Sequence, residues 1–127
     1  MHYALLIYNT PGSQAAAHTD VRVQPADGVF DSWVEYTRAL KEAGVLGGAE
    51  QLREIGTATS VRVRGGERLL TDGPFIETKE HLLGFYLVDV PNLDAAVEWA
   101  ARMPAVRYGT IEVRPVNRDG TWRASME

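Results

Sequence analysis

The chain has 127 residues and a mass of 14.0 kDa, enough for one domain with a single buried core and no disulfide or structural metal. Its 45% hydrophobic and 24% charged residues exclude a disordered tail or a fibre. The lack of cysteine removes a disulfide framework, a thiolate zinc site, an iron–sulfur cluster and a cysteine nucleophile, and a net charge of −4 gives no general attraction to nucleic acid.

The opening, Met1 to Tyr8, lacks a basic leader region, and its apolar run ends at Asn9. No stretch approaches the roughly 18 apolar residues of a membrane span. A cytoplasmic protein with no membrane partner is expected. Tyr3 to Tyr8 reads as a strand that is apolar on both faces, hence central in a sheet, and Asn9-Thr10-Pro11-Gly12 ends it as a turn cluster. Residues 9–26 carry no clear pattern beyond an alanine turn at Ala15–Ala17 and a strand fragment at Val21–Val23, and stay unassigned.

Residues 28–43 predict a helix. Phe30, Trp33, Val34, Thr37 and Leu40 form an apolar stripe, Asp27 is placed to cap the start, and Gly44 supplies the left-handed stop. Val45 to Leu52 returns as an extended, glycine-weakened segment. Thr57 to Arg64 alternates, Gly65-Gly66 suits a primed turn, and Arg68 to Thr71 completes a hairpin. Asp72-Gly73-Pro74-Phe75 is turn chemistry. Leu82 to Val90 reads as a second central strand ended by Pro91.

Asn92 then caps a second helix with Leu93, Ala96, Val97 and Ala100 as its buried stripe, and Pro104 lies beyond its end. Thr110 to Arg114 is the last strand, and a polar tail runs from about residue 117 to Glu127. The order is close to a split βαβ arrangement with an elaborated hairpin, within one domain over residues 1–127. Two helices on one sheet face leave the other bare, and strands this apolar predict a second copy covering it.

The run from Thr71 to Tyr86, Thr-Asp-Gly-Pro-Phe-Ile-Glu-Thr-Lys-Glu-His-Leu-Leu-Gly-Phe-Tyr, resembles the signature of YCII-related proteins, in the branch named for its Asp-Gly-Pro-Phe motif. Tyr3–Tyr8, Ala43–Leu46, Thr57–Val63, Glu98–Ala105 and Ile111–Val116 are similar to other segments of that branch. The likeness spans nearly the whole chain, apart from residues 10–28. It implies an α+β, ferredoxin-like βαββαβ fold that pairs as a dimeric α+β barrel, hence a homodimer. Relatives by fold include muconolactone isomerases, small monooxygenases and a dehydrochlorinase. Genes of the branch often lie near those of sigma factors, which makes a sigma factor a candidate partner. Other YCII-related proteins carry a His on the first helix and an Asp beside the Pro after the second, proposed as a catalytic pair. Counted from Gly44 and Pro104, those positions hold Trp33 and Met103, which transfer no proton.

Asp72 is either a pocket carboxylate or a turn former. Glu77, Lys79, Glu80 and His81 form the densest ionisable cluster; a helical segment there would put Glu77, Glu80 and His81 on one face. That spacing suits an acid–base pair or part of a metal site, but His2 and His18 supply no further ligands, so no metal is expected and a solvated charge run is the plainer reading. Lys79 suits an anionic ligand group or a local ion pair. Phe75, Tyr8, Phe85, Tyr86 and Trp33 could line an aromatic pocket. Phe85 and Trp33 are expected in the core, and the hydroxyls of Tyr8 and Tyr86 favour a pocket.

Two functions are carried forward. One is a small-molecule enzyme of isomerase or lyase type without a bound cofactor. Asp72 or Glu77 would transfer the proton, and Lys79, Tyr8, Tyr86, Phe75 and His81 would hold a small organic ligand. The alternative is a non-catalytic ligand- or partner-binding module acting with a sigma factor.

Overall fold

The protein is described by a computed structural model over residues 1–9, 29–76 and 79–118. Ala15–Ala17, His18, Val21–Val23, Asp27, Glu77 and the tail beyond residue 118 lie outside these residues, and so does the side chain of Phe30. Strand β1 (His2–Asn9) is followed by helix α1 (Val29–Glu42) and strand β2 (Leu46–Gln51). A short 3₁₀ turn at Ile55–Thr57 leads to the hairpin of β3 (Thr59–Arg64) and β4 (Glu67–Asp72). Then come β5 (His81–Asp89), α2 (Leu93–Ala101), a second 3₁₀ turn at Pro104–Arg107, and β6 (Thr110–Pro115).

Strands β2, β5, β1 and β6 form one antiparallel sheet in that order, so β1 and β5 are central, as their apolar character predicts. With β3–β4 set aside, this is the ferredoxin-like βαββαβ arrangement, and the hairpin is an insertion that forms a separate two-stranded sheet.

Local chemistry sets the element ends. Gly44 takes φ +73°, and Val45 N–H bonds back to the Leu40 carbonyl at 3.1 Å, closing α1 in a left-handed cap. Gly65 and Gly66, with φ of +59° and +80°, make the tight primed turn that fixes the hairpin register Arg64↔Glu67. The Asn92 side chain accepts from Ala95 N–H at 2.9 Å at the start of α2.

The core lies between the sheet and the helices. Along β1 alternate residues are fully buried, with Tyr3, Leu5 and Ile7 meeting Tyr86 and Val88 of β5, Tyr36 and Leu40 of α1, and Ala96 and Ala100 of α2. Met103 is buried in the same core. The opposite sheet face, with Leu6, Phe85 and Leu87, is only half-buried.

Three expectations change. Leu93 and Val97 are 51% and 47% exposed, and the α2 stripe is instead Ala96 and Ala100 flanked by Ala95 and Trp99. The small side chains of Ala96 and Ala100 let α2 pack closely on the core, where the Tyr36 hydroxyl donates to the Trp99 carbonyl at 2.8 Å. Val34 is exposed on α1, and Tyr36, absent from the predicted stripe, is buried. Phe85 lies on the open face rather than in the core, because it pairs with Leu6, whose neighbours Leu5 and Ile7 take the buried side.

Candidate functional site

Strand parity divides the aromatic residues. Leu5 of β1 faces Tyr86 across the sheet on the helix side, and Tyr8 has the opposite parity. Tyr86 stacks on Trp33, with ring centroids 6.1 Å apart and planes 7° from parallel. Its hydroxyl is 2.7 Å from Thr37 Oγ1, which itself donates to the Trp33 carbonyl at 2.9 Å, so Tyr86 is the donor in the pair. Burial pushes the Tyr86 phenol up. Tyr86 is thus built into an aromatic cluster with Trp33 and Tyr36, on the other side of the sheet from Tyr8.

Tyr8 opens onto the second face, near one end of the sheet. Register slips between Ile7 and Tyr8: Ile7 pairs with Gly84 but Tyr8 pairs with Leu82, leaving Leu83 as the extra residue of a β-bulge. A bulge re-aims the side chains beyond it, and here Tyr8, His81 and Leu82 together form the floor of a cleft. Leu52, Arg53, Glu54 and Ile55, leaving the end of β2, make one wall, and Thr57 and Ala58 continue it. Pro74 and Ile76, just beyond the hairpin, form the lip, and Glu80 completes the lining. The cavity volume is about 560 Å³.

The lip is held by the chemistry of its turn. Gly73 adopts φ +99°, its N–H bonds to the Ala58 carbonyl at 2.7 Å, and Ser60 Oγ donates to the Gly73 carbonyl at 2.8 Å. The turn is therefore tied both to β3 and to the segment that walls the cleft. Phe75 points away, 66% exposed, with the Arg62 guanidinium 4.5 Å above its ring.

Tyr8 donates to Glu112 Oε1 at 3.4 Å across the sheet. Its phenol is raised first by burial, then by the negative charge of Glu112 and by this bond, while Arg114 acts in the opposite direction. Thr110 Oγ1 donates to Glu80 Oε1 at 3.4 Å.

The structure therefore gathers Tyr8 and His81 from the sequence-derived candidates. Asp72 ends β4, exposed and paired with Thr59, one residue short of the lip, and Lys79 is exposed beyond the lining. Glu77 lies outside the described residues. Glu80 and His81 do not share a helix, because His81 opens β5, where its backbone pairs with Asn9. Cross-strand pairing overrides a short-range helical spacing there. Among the described residues no three His, Asp or Glu side chains come together as metal donors, and no helix is long and apolar enough to cross a membrane.

Arg53 and Glu54 were not legible as site residues. They follow a glycine-weakened edge strand, and only their charge, abutting Leu52 and Ile55, hints at a lined surface. The cleft sets a guanidinium, two carboxylates, an imidazole and a phenol among the apolar side chains of Leu52, Ile55, Pro74, Ile76 and Leu82. Such a set can hold a small, partly anionic organic molecule and move a proton on it.

In the solved 5-chloro-2-hydroxyhydroquinone dehydrochlorinase of Burkholderia phenoliruptrix AC1100, in complex with 2,5-dihydroxybenzoquinone, the same fold recurs at a TM-score of 0.53 and 13% identity, over 92% of this chain and 94% of that one. An uncharacterized protein of Rhizobium meliloti (strain 1021) is 36% identical over 118 residues, covering 91% of this chain and 92% of its own. Residues 1–119 match the YCII-related domain, and the chain belongs to that family.

Proposed function

We propose that this protein is a small-molecule enzyme that transfers a proton on an organic ligand, in an isomerisation or elimination, within the cleft beneath the Gly73–Ile76 turn. The carrying observation is that one cavity of about 560 Å³ gathers Tyr8, Arg53, Glu54, Glu80 and His81 among apolar lining side chains. That volume lies within the range of about 300–1,000 Å³ usual for small-molecule sites. His81 lines the cleft with a ring that can both give and take a proton, so it is assigned the acid–base role, and Arg53 the anionic group of the ligand. Asp72 and Lys79 stand outside the lining, where they can steer a charged ligand towards the lip. Trp33 and Met103, where relatives carry a His–Asp pair, cannot serve as acid or base, so the proton chemistry is placed in this cleft instead.

The substrate class is a small hydroxylated ring compound, on analogy with the dehydrochlorinase of similar fold and its bound quinone. The test is calorimetric titration of the full chain with 2,5-dihydroxybenzoquinone and a panel of hydroxylated ring acids, followed by turnover assays on those that bind. Binding is expected, with His81→Gln lowering turnover by about 10² or more while binding persists. Equal turnover by His81→Gln, or no binding across the panel, would overturn the reading.

The exposed hairpin supports a second reading, a partner-binding module for which a sigma factor is the candidate. A pull-down from the native host with and without Val61→Glu tests it: a sigma factor captured only by the wild type would favour this reading, and its absence would count against it.

A further inference from the structure

We propose that the cleft is built to accept hydrogen bonds, and that Glu112, acting through Tyr8, makes it select ligands whose ring carries protonated hydroxyl groups over those with carbonyl or ether oxygens in their place. The inference deepens the reading of the cleft as a small-molecule site and rests on it.

Among the described residues, the polar side chains of the lining are Tyr8, Arg53, Glu54, Thr57, Glu80 and His81. Two are carboxylates, which when ionised accept and never donate. Two are hydroxyls, which can do either, and both turn their protons onto the protein. Thr57 Oγ1 donates to the Glu54 carbonyl at 2.6 Å. Tyr8 Oη donates to Glu112 Oε1 at 3.4 Å. The second contact is long and therefore weak, but the carboxylate has no proton to offer, so the direction of the bond is fixed. Each hydroxyl oxygen keeps lone pairs to present. The N–H groups of Leu52, Thr57 and Ala58 are also engaged, on the carbonyls of Leu83, Glu54 and Ile55 at 2.8, 2.9 and 3.0 Å.

Among the lining side chains, donation to a ligand is left to the Arg53 guanidinium and, in a neutral imidazole, one nitrogen of His81. A ligand that matches this lining carries one anionic group for Arg53 and O–H groups for the acceptors. A carbonyl or ether oxygen in place of an O–H would meet lone pairs, losing its water without gaining a partner.

Glu112 stands outside the lining and reaches it through Tyr8. Register pairs Tyr8 with Thr110 and Leu6 with Glu112, so Tyr8 and Glu112 emerge on one face of the sheet. Strand β6, which carries Glu112, flanks β1 on the side opposite β5, which carries His81 and Leu82. The Tyr8 proton is thus drawn towards β6, and lone pairs remain for the β5 side of the cleft. Arg114 is the other charged group that acts on the phenol, and a guanidinium accepts no proton, so it leaves the bond to Glu112 in place. Burial and the Glu112 charge both hold the phenol in its protonated form. Glu112 is therefore a positioning residue that sets the hydrogen-bonding polarity of Tyr8.

The experiment is calorimetric titration of the full chain near neutral pH with two probes. One is gentisate, a dihydroxylated benzoate, and the other is its methyl ether at the hydroxyl remote from the carboxylate. Both are monoanions, so the ratio of their affinities is insensitive to the net charge of the protein. Tyr8→Phe and Glu112→Leu are titrated alongside the wild type, with circular dichroism as the check of folding, since both positions lie outside the core. The wild type should bind gentisate about tenfold more tightly than the ether. The ratio should fall at least threefold in Tyr8→Phe, which lacks the acceptor. It should fall as much in Glu112→Leu, which frees the phenol proton to meet the ether oxygen. A merely structural role for Glu112 would weaken both probes alike and leave the ratio unmoved, and that result overturns the inference. Equal affinities in the wild type overturn the selection while leaving the small-molecule reading intact. Failure of the wild type to bind either probe overturns that reading and the inference together.

Discussion

Gly84 sits in the middle of β5, where β2 crosses it just before the cleft wall begins. It pairs with Gln51, and the next residue, Leu52, donates its N–H to the Leu83 carbonyl at 2.8 Å. A Cβ built on Gly84 would lie 2.6 Å from the Glu50 carbonyl oxygen and 3.3 Å from Gln51 Cα. Ordinary carbon–oxygen contacts begin near ~3.3 Å, so β2 would have to retreat by about 0.7 Å. The obstacle is backbone held in a ladder, with no flexible side chain to swing aside. Overpacking of this kind costs about 1–3 kcal/mol.

That cost outweighs the gain of about 0.4–1 kcal/mol that an unstrained Gly→Ala change brings by stiffening the unfolded chain. The net prediction for Gly84→Ala is a loss of about 1–2 kcal/mol, or about 4–8 °C in Tm for a chain of this length. Gly56→Ala is the control, because nothing lies within 4 Å of its Cβ. Urea and thermal unfolding at fixed protein concentration should separate the two. Displacement of β2 should also weaken any ligand of the cleft, since Leu52 and Arg53 move with the strand. A Gly84→Ala protein as stable as Gly56→Ala would refute the reasoning.

Leu40 has no exposed surface, so Leu40→Ala should cost about 2–5 kcal/mol in the same unfolding assays. Asn92→Ala should lose about 1 kcal/mol with the cap of α2, whereas Asn92→Asp should keep most of it. Burial holds the phenols of Tyr36 and Tyr86 above their ordinary range, Tyr36 most strongly, where the charge of Tyr86 adds to it and Arg102 opposes. Above about pH 10 the unfolded chain releases these protons while the native state keeps them, so it binds fewer protons than the native state and stability falls with rising pH. The contribution is complete below about pH 10 and is lost as pH rises through the native values. Urea midpoints from pH 8 to 11.5 should decline above about 10, and Tyr36→Phe should flatten that decline.

Features that rest on a few neighbouring residues were legible in the sequence. The stop at Gly44, the turn at Gly65-Gly66 and the cap at Asn92 follow from φ preferences and single hydrogen bonds, and each sits where its residue type predicts. The central place of β1 and β5 follows from side chains that are apolar on both faces. The Asp72–Phe75 motif announced a turn and a family, though not that Pro74 and Ile76 would form the lip of a cleft.

Allocation to faces was decided only by assembly. Tyr8 and Tyr86 look alike along the chain, yet pairing and the bulge at Leu83 send one to the open cleft and the other into the cluster with Trp33. His81 is a strand residue because Asn9 pairs with it, and Leu93 and Val97 are exposed because α2 turns Ala96 and Ala100 towards the core. Arg53 and Glu54 become cleft residues because β2 ends beside the bulge. Backbone geometry and capping act over a few residues and are written locally, whereas the side of a sheet on which a group emerges depends on register between distant strands, which no single segment encodes.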